Sequence, residues 1–259
     1  MDVYELKEFY ADPLGIVARR LISHRIRARV RNVAGQRVMG LGYATPYLGG
    51  WRDDALAVYG CMPARQGVVR WPREGPNVTT LVDDADLPFP DDSIDVALIV
   101  HELEFTDNGP QMLREVWRVL SPAGRVVIVA PNRRGLWARR DSTPFGHGRP
   151  FSRGQLSKML REAMFDPAGW AYALYVPPVN RGFLRRSAAA WERIGTWGWQ
   201  GFAGVLIVEA TKQVYATVPL RRAKRFSGKL RPVLVPGGAR ALGAPFSASA
   251  GTPPVRRTG

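Results

Sequence analysis

The chain has 259 residues, 46% hydrophobic and 23% charged, with a formal charge of +15 and a single cysteine, Cys61. This is enough chain and enough apolar surface for one large α/β domain or two small ones, and it excludes a wholly disordered protein. No apolar run reaches the roughly 18–20 residues that span a bilayer. The opening residues Asp2, Tyr4 and Glu5 are not those of a secretory signal, and one cysteine excludes a disulfide framework or a cysteine-rich zinc site. A cytoplasmic protein without integral membrane association is expected, with no metal site.

Residues 4–31 have helical spacing, interrupted near Pro13 and Gly15, and the part from Ile16 to Val30 carries an arginine-rich face. Arg37–Gly42 then reads as a buried strand running into a tight loop. Further short strands are expected at Ala55–Cys61, Val78–Val82 and Asp95–Val100, the last a continuous apolar run suited to a strand covered on both faces. Gln111–Leu120 is an amphipathic helix closed by Ser121-Pro-Ala-Gly124, and Arg125–Ala130 is a fifth strand. A helix over Ser152–Met164, a strand over Ala171–Val176, a helix over Arg185–Trp197 and a strand over Gly204–Thr211 complete the series. Strands alternating with helices imply a Rossmann-like α/β fold. The sheet is expected to be doubly wound, seven-stranded and mostly parallel, with helices on both faces. Ligands of such sheets lie at the carboxyl ends of the strands. The expected organisation is an N-terminal helical segment (1–35), a Rossmann domain (36–216) and a basic Pro/Gly/Ala-rich flexible tail (217–259).

Charge is unevenly spread. Residues 217–259 hold nine Arg or Lys and no acid, and residues 19–37 hold seven Arg and no acid. Arg133, Arg134, Arg139, Arg140, Arg149 and Arg153 make a third basic stretch. Such surfaces attract RNA or other polyanions, or a protein partner, although an arginine-rich chain can also simply solvate its charges.

The stretch Leu87-Pro-Phe-Pro-Asp-Asp-Ser-Ile-Asp-Val96 is followed by a strand. Then comes Gln111-Met-Leu-Arg-Glu-Val-Trp-Arg-Val-Leu-Ser-Pro-Ala-Gly-Arg-Val126. Over about residues 36–130 this resembles the class I S-adenosylmethionine-dependent methyltransferases of the type 11 kind. The resemblance implies S-adenosylmethionine as cofactor and methyl transfer as activity. It also implies cofactor contacts from Gly40, Gly42, Tyr43 and Ala44 after strand one, Met62 after strand two, Asp83, Asp84 and Ala85 after strand three, and His101 after strand four. Against the family's acidic-x-Gly-x-Gly-x-Gly motif, Gly40 stands at the acidic position, Ala44 at the second glycine and Pro46 at the third. Val58-Tyr-Gly-Cys-Met-Pro63 carries no carboxylate for the ribose hydroxyls, so backbone carbonyls or Gln66 are the available substitutes.

For chemistry, His101, His147 and Glu104 are the candidate catalytic groups, since proton removal is needed only where the acceptor must lose one. The long segment after strand five offers Arg133, Arg134 and Arg149 to grip carboxylate or phosphate, and Trp137 or Phe145 to stack on a base. Two functions follow. One is a methyltransferase acting on RNA, protein or an anionic small molecule. The other is an inactive relative that binds nucleic acid or a partner subunit through its basic faces.

Overall fold

The computed structural model describes residues 1–179, 187–198 and 200–214. The chain opens with α1 (Val3–Ala11), capped by Asp2 and Glu5 in a reciprocal capping box. It turns at Asp12, whose carboxylate caps α2 (Pro13–Arg29) with Pro13 in its first turn. Proline lacks the N–H that would continue α1, which is why the expected interruption falls here.

A sheet of seven strands follows: β1 (Arg37–Gly42), β2 (Ala57–Pro63), β3 (Thr79–Val82), β4 (Ile94–Val100), β5 (Leu120–Pro131), β6 (Phe165–Ala173) and β7 (Val205–Lys212). Their order is β3-β2-β1-β4-β5-β7-β6. The first five run parallel, and β7 pairs antiparallel with both β5 and β6. β1, β4 and the second half of β5 are buried on both faces, as their unbroken apolar runs require. One face is covered by α1, α2 and the short α3 (Thr45–Leu48). The other is covered by α4 (Gly109–Val119) and α5 (Arg153–Glu162). Met112, Leu113, Val116 and Val119 form the buried stripe of α4, and Ser152 caps α5 as its sequence suggests. A last helix, α6 (Ala188–Gly198), precedes β7.

Four expectations change. β5 begins at Leu120 and not Arg125, so Ser121–Gly124, expected as a turn, lies within the strand. No helix separates β2 from β3 or β3 from β4, so the alternation is incomplete. β2 runs two residues further than expected, to Pro63. β6 begins at Phe165 and ends at Ala173, before the Leu174 turn at φ +66°. It is an edge strand containing Asp166, Pro167 and Gly169, residues with poor strand preference, and pairing with β7 imposes it. The expected helix start at Arg185 and the basic tail at 217–259 lie outside the described residues. Strand order reverses between β1 and β4, and ligands of such sheets usually lie in a crevice at the carboxyl ends of the strands there.

Candidate functional site

Three turns meet at that crevice. Gly42 ends β1 at φ +79°, and a Cβ there would strike the Val100 carbonyl and lie 2.8 Å from Glu102 Cβ. Glycine is what lets the β1 turn press directly on the β4 turn. The β4 turn is itself tight, with His101 at φ +51°. Its carbonyl accepts a hydrogen bond from the Gln66 side-chain amide, which fixes the turn to the loop after β2.

On one side of the crevice the contacts are ionic. The Arg65 guanidinium donates both to Asp84 Oδ1 and Oδ2, at 3.1 Å each, and to Glu102 Oε1. Thr106 donates to Asp84 Oδ2 at 2.7 Å. Glu102 is completely buried, and its other oxygen, Oε2, has no hydrogen-bond partner among the described residues. Beside this cluster, a cleft of about 350 Å³ is lined by Pro63, Ala64, Arg65, Leu81, Val82, Asp83 and Asp84.

On the other side the contacts are aromatic. His101 is buried, with Nδ1 3.1 Å from Glu104 Oε1 and Nε2 2.8 Å from the Tyr10 hydroxyl. The Tyr10 hydroxyl also lies 2.8 Å from that of Tyr47. A carboxylate only accepts, so with Glu104 ionised Nδ1 carries a proton, and with the ring neutral Nε2 accepts from Tyr10. Tyr10 stacks on Tyr43, and Phe145 tilts against His101. Burial pushes the Tyr43 phenol up to about 12 and raises Tyr10 and Tyr47 further. α1 brings Tyr10 here because Val3, Leu6 and Tyr10 share its buried face and the Val3 N–H donates to the Gln66 carbonyl at 2.8 Å.

Residues 39–128 match the model of the methyltransferase domain family. A Mycolicibacterium smegmatis protein named as an S-adenosylmethionine-dependent methyltransferase is 34% identical over 84 residues, 32% of each chain. Among solved structures, a SAM-dependent methyltransferase from Thermotoga maritima superposes with a TM-score of 0.58 at 16% identity, covering 82% of this chain and 96% of that one. A methyltransferase solved with the Haloferax volcanii Trm112 activator superposes at 0.57 with 18% identity, covering 83% and 99%. Residues 39–128 are therefore similar to the methyltransferase domain family, and the fold around them is one shared with solved SAM-dependent methyltransferases. The matched segment spans about a third of the length of the curated relative, and the structural likenesses establish the fold.

Within that fold the expected cofactor residues are dispersed. Asp84 lines the cleft beside Arg65, whereas Gly42 and His101 are buried in the turns that end β1 and β4. Gly40 is needed for packing, since a Cβ there would lie 2.7 Å from the Leu48 side chain and 2.8 Å from Ala44 Cβ. Ala44 is buried beneath the turn, and Met62 is buried with its sulfur accepting from the Val69 N–H at 3.5 Å. Asp83 caps its own turn by accepting from the Ala85 N–H at 2.9 Å.

The loop after β5 does not converge on one point. Arg133 and Arg149 line one cleft of about 430 Å³ with Lys158 and Phe151. Arg134 lines another with Asn132, Arg153 and Tyr172. The Arg149 N–H donates to the Glu104 carbonyl at 2.9 Å, tying this loop to the β4 turn. His147 turns to its own loop, with Nε2 2.7 Å from the Asp141 carbonyl. Trp137 is a correction: it is fully buried, its Nε1–H donates to the Val176 carbonyl at 2.8 Å, and it packs edge-on against Phe145. Neither ring is exposed for stacking on a base, because the segment folds over its own aromatics. Sequence reading missed Tyr10, Tyr47, Arg65 and Thr106; only Arg65, two residues past β2, lay where a family contact was being sought.

Glu102 Oε2 and Glu104 Oε2 are buried acceptors without partners among the described residues, and a sulfonium or ammonium is the kind of charge such carboxylates favour. The described residues include no group of His, Cys, Asp and Glu that could hold a metal ion, and no helix among them is long and apolar enough to cross a membrane.

Proposed function

We propose that the protein transfers a methyl group from S-adenosylmethionine to an anionic acceptor, with His101 and Glu104 as the proton-handling pair. The observation that carries this reading is the buried Glu104–His101–Tyr10 chain at the carboxyl end of β4, against which the Arg149 loop is hydrogen-bonded. S-adenosylmethionine supplies a methyl group already activated by its sulfonium. Positioning therefore does most of the catalytic work. Glu104 holds the His101 ring with Nε2 placed to take the Tyr10 proton, and the Tyr10 oxygen takes a proton from the acceptor in its place. Arg133 and Arg149, in a cleft the size of a small molecule with the apolar floor of Phe151 and Met159, supply planar donors for a carboxylate or phosphate.

Isothermal titration with S-adenosylmethionine tests the cofactor half of this reading. The absence of heat at millimolar cofactor with folded protein sinks it. Transfer of labelled methyl to carboxylated or phosphorylated acceptors, lost in His101→Gln, tests the chemical half.

A second reading has its own observation. α2 presents Arg19, Arg20, His24 and Arg27 along a groove of about 480 Å³, a ridge suited to RNA or to an acidic partner subunit. Binding that is salt-insensitive, or unaffected by charge reversal at Arg20 and Arg27, rejects it.

A further inference from the structure

We propose that Glu102 is the carboxylate that takes the ribose hydroxyls of the cofactor, in place of the acid absent at Met62, and that Arg65 covers it until the cofactor enters. This inference rests on the cofactor reading above and assigns a contact that the sequence leaves without a residue.

Three observations place it. First, the end of β2 offers no acceptor from its own side chain. Met62 is buried and its sulfur is engaged with the Val69 N–H. Gln66 donates a side-chain N–H to the His101 carbonyl, which fixes its amide and leaves only a neutral oxygen as an acceptor. Second, Glu102 stands where the ends of three strands meet. The Gly42 turn of β1 has no room for a Cβ against it. Arg65, just past β2, pairs with it, and the same guanidinium reaches Asp84 past β3. An adenosine in the cleft lined by Asp83 and Asp84 would bring its ribose toward the Arg65 side of this junction. Third, Glu102 is wholly buried with Oε2 unpartnered. An ionised carboxylate can accept at both oxygens, and leaving one empty in a buried site is unfavourable unless a donor comes. A vicinal diol brings two donors, spaced to meet both oxygens.

Arg65 suits the role of a cover. Its side chain is about one-third exposed, against none of Glu102's. Its two-point pairing with Asp84 holds the guanidinium when the Glu102 contact is given up. The left-handed turn at His101, locked by Gln66, keeps Glu102 aimed inward. An inward carboxylate on a strained, fixed turn is what a preformed acceptor requires.

The test is binding of nucleosides to the full chain, followed by titration calorimetry without turnover. Wild type is titrated with S-adenosylhomocysteine, 5′-methylthioadenosine and the 2′-deoxy and 3′-deoxy forms of the latter. A hydrogen bond to a charged group predicts about a 10- to 100-fold loss for each deoxy form. In Glu102→Gln, with folding verified by circular dichroism, S-adenosylhomocysteine weakens by a similar factor and the deoxy penalty falls below about 3-fold. Should that variant fail to fold, Glu102→Asp keeps the charge and is expected to retain part of the penalty. Arg65→Gln removes the cover and is expected to bind S-adenosylhomocysteine more tightly than wild type, with the penalty intact. An undiminished deoxy penalty in Glu102→Gln overturns the assignment while leaving the cofactor reading in place. Loss of the penalty in Arg65→Gln instead makes the arginine the ribose reader and equally overturns it. If folded wild type binds none of these ligands, the cofactor reading falls first and this inference with it.

Discussion

The two sides of the crevice are built from different materials. Toward β2 and β3, Arg65, Asp84, Glu102 and Thr106 are joined by charge and hydrogen bonds. Toward α1, Tyr10, Tyr43, Tyr47, His101 and Phe145 are joined by ring contacts and one chain of hydroxyls. Charges can exchange partners without repacking, because a new donor replaces an old one at similar geometry. Interlocked rings cannot, since moving one opens a void beside its neighbours. On the proposed reading the ionic side receives the ligand, and the aromatic side holds His101 still.

Gly42 is the point both sides share, so the largest effect is expected there. In Gly42→Ala the new methyl meets the Val100 carbonyl and Glu102 Cβ at a positive φ. Strain and overpacking together are expected to cost about 3 kcal/mol, read from the urea midpoint. A loss below about 1 kcal/mol would show that the β1 and β4 turns are not locked together.

Arg65→Met separates the sides. It leaves Glu102 buried beside Asp84 with no cation, and breaking a buried pair is costly. Because the Arg65 side chain is one-third exposed, the cost is expected to be nearer 2 kcal/mol than the full value for a buried pair. The near-ultraviolet circular dichroism of the tyrosine cluster should stay unchanged; a change there would mean the two sides are coupled.

Tyr10→Phe does the converse. It strands the Tyr47 hydroxyl and His101 Nε2, at a cost of about 1–2 kcal/mol, and leaves deoxy-nucleoside discrimination intact. Its pH signature is specific. Burial raises the phenols of Tyr10, Tyr43 and Tyr47 above their ordinary value of 10 in the folded protein. The folded state therefore holds protons that the unfolded chain loses, so stability is full below pH 10 and falls as pH rises through about 12 and beyond. Each tyrosine kept protonated contributes a slope of about 1.4 kcal/mol per pH unit. Tyr10→Phe should lower that slope by one tyrosine's share, and an unchanged slope would place Tyr10 outside the cluster.

The sheet was legible because its signals are local. Leu98, Ile99 and Val100 with Val126, Val127 and Ile128 form unbroken apolar runs, and Ser152 marks a helix start by its side-chain chemistry. β6 was misplaced because its pairing with β7 outweighs its own poor strand residues. The site was half legible for the same reason. His101, Glu104, Asp84 and Gly42 sit at strand ends, where topology alone points. Tyr10 reaches His101 across 91 residues of sequence and Arg65 reaches Glu102 across 37, and no local pattern encodes such meetings. Trp137 was misread because an aromatic in a polar loop looks exposed, whereas this loop folds over its own rings.

The smallest expected effect on stability falls on the arginine loop, where it is also the most informative. Arg133 and Arg149 are exposed and lie beyond both sides of the crevice. Truncating either to Ala should change stability by no more than about 0.5 kcal/mol, because no buried partner is left unpaired. If their cleft receives the anionic end of the acceptor, the double variant should raise KM for methyl transfer by about 10-fold or more, since each charged hydrogen bond is worth on the order of 1.5–3 kcal/mol. Cofactor binding should be unaffected, because the arginines face neither Glu102 nor Asp84. Loss of cofactor affinity in the double variant would mean instead that the loop, tied to Glu104 through the Arg149 N–H, shapes the β4 turn itself. The separation between the receiving side and the fixed side would then fail at the residue that joins them.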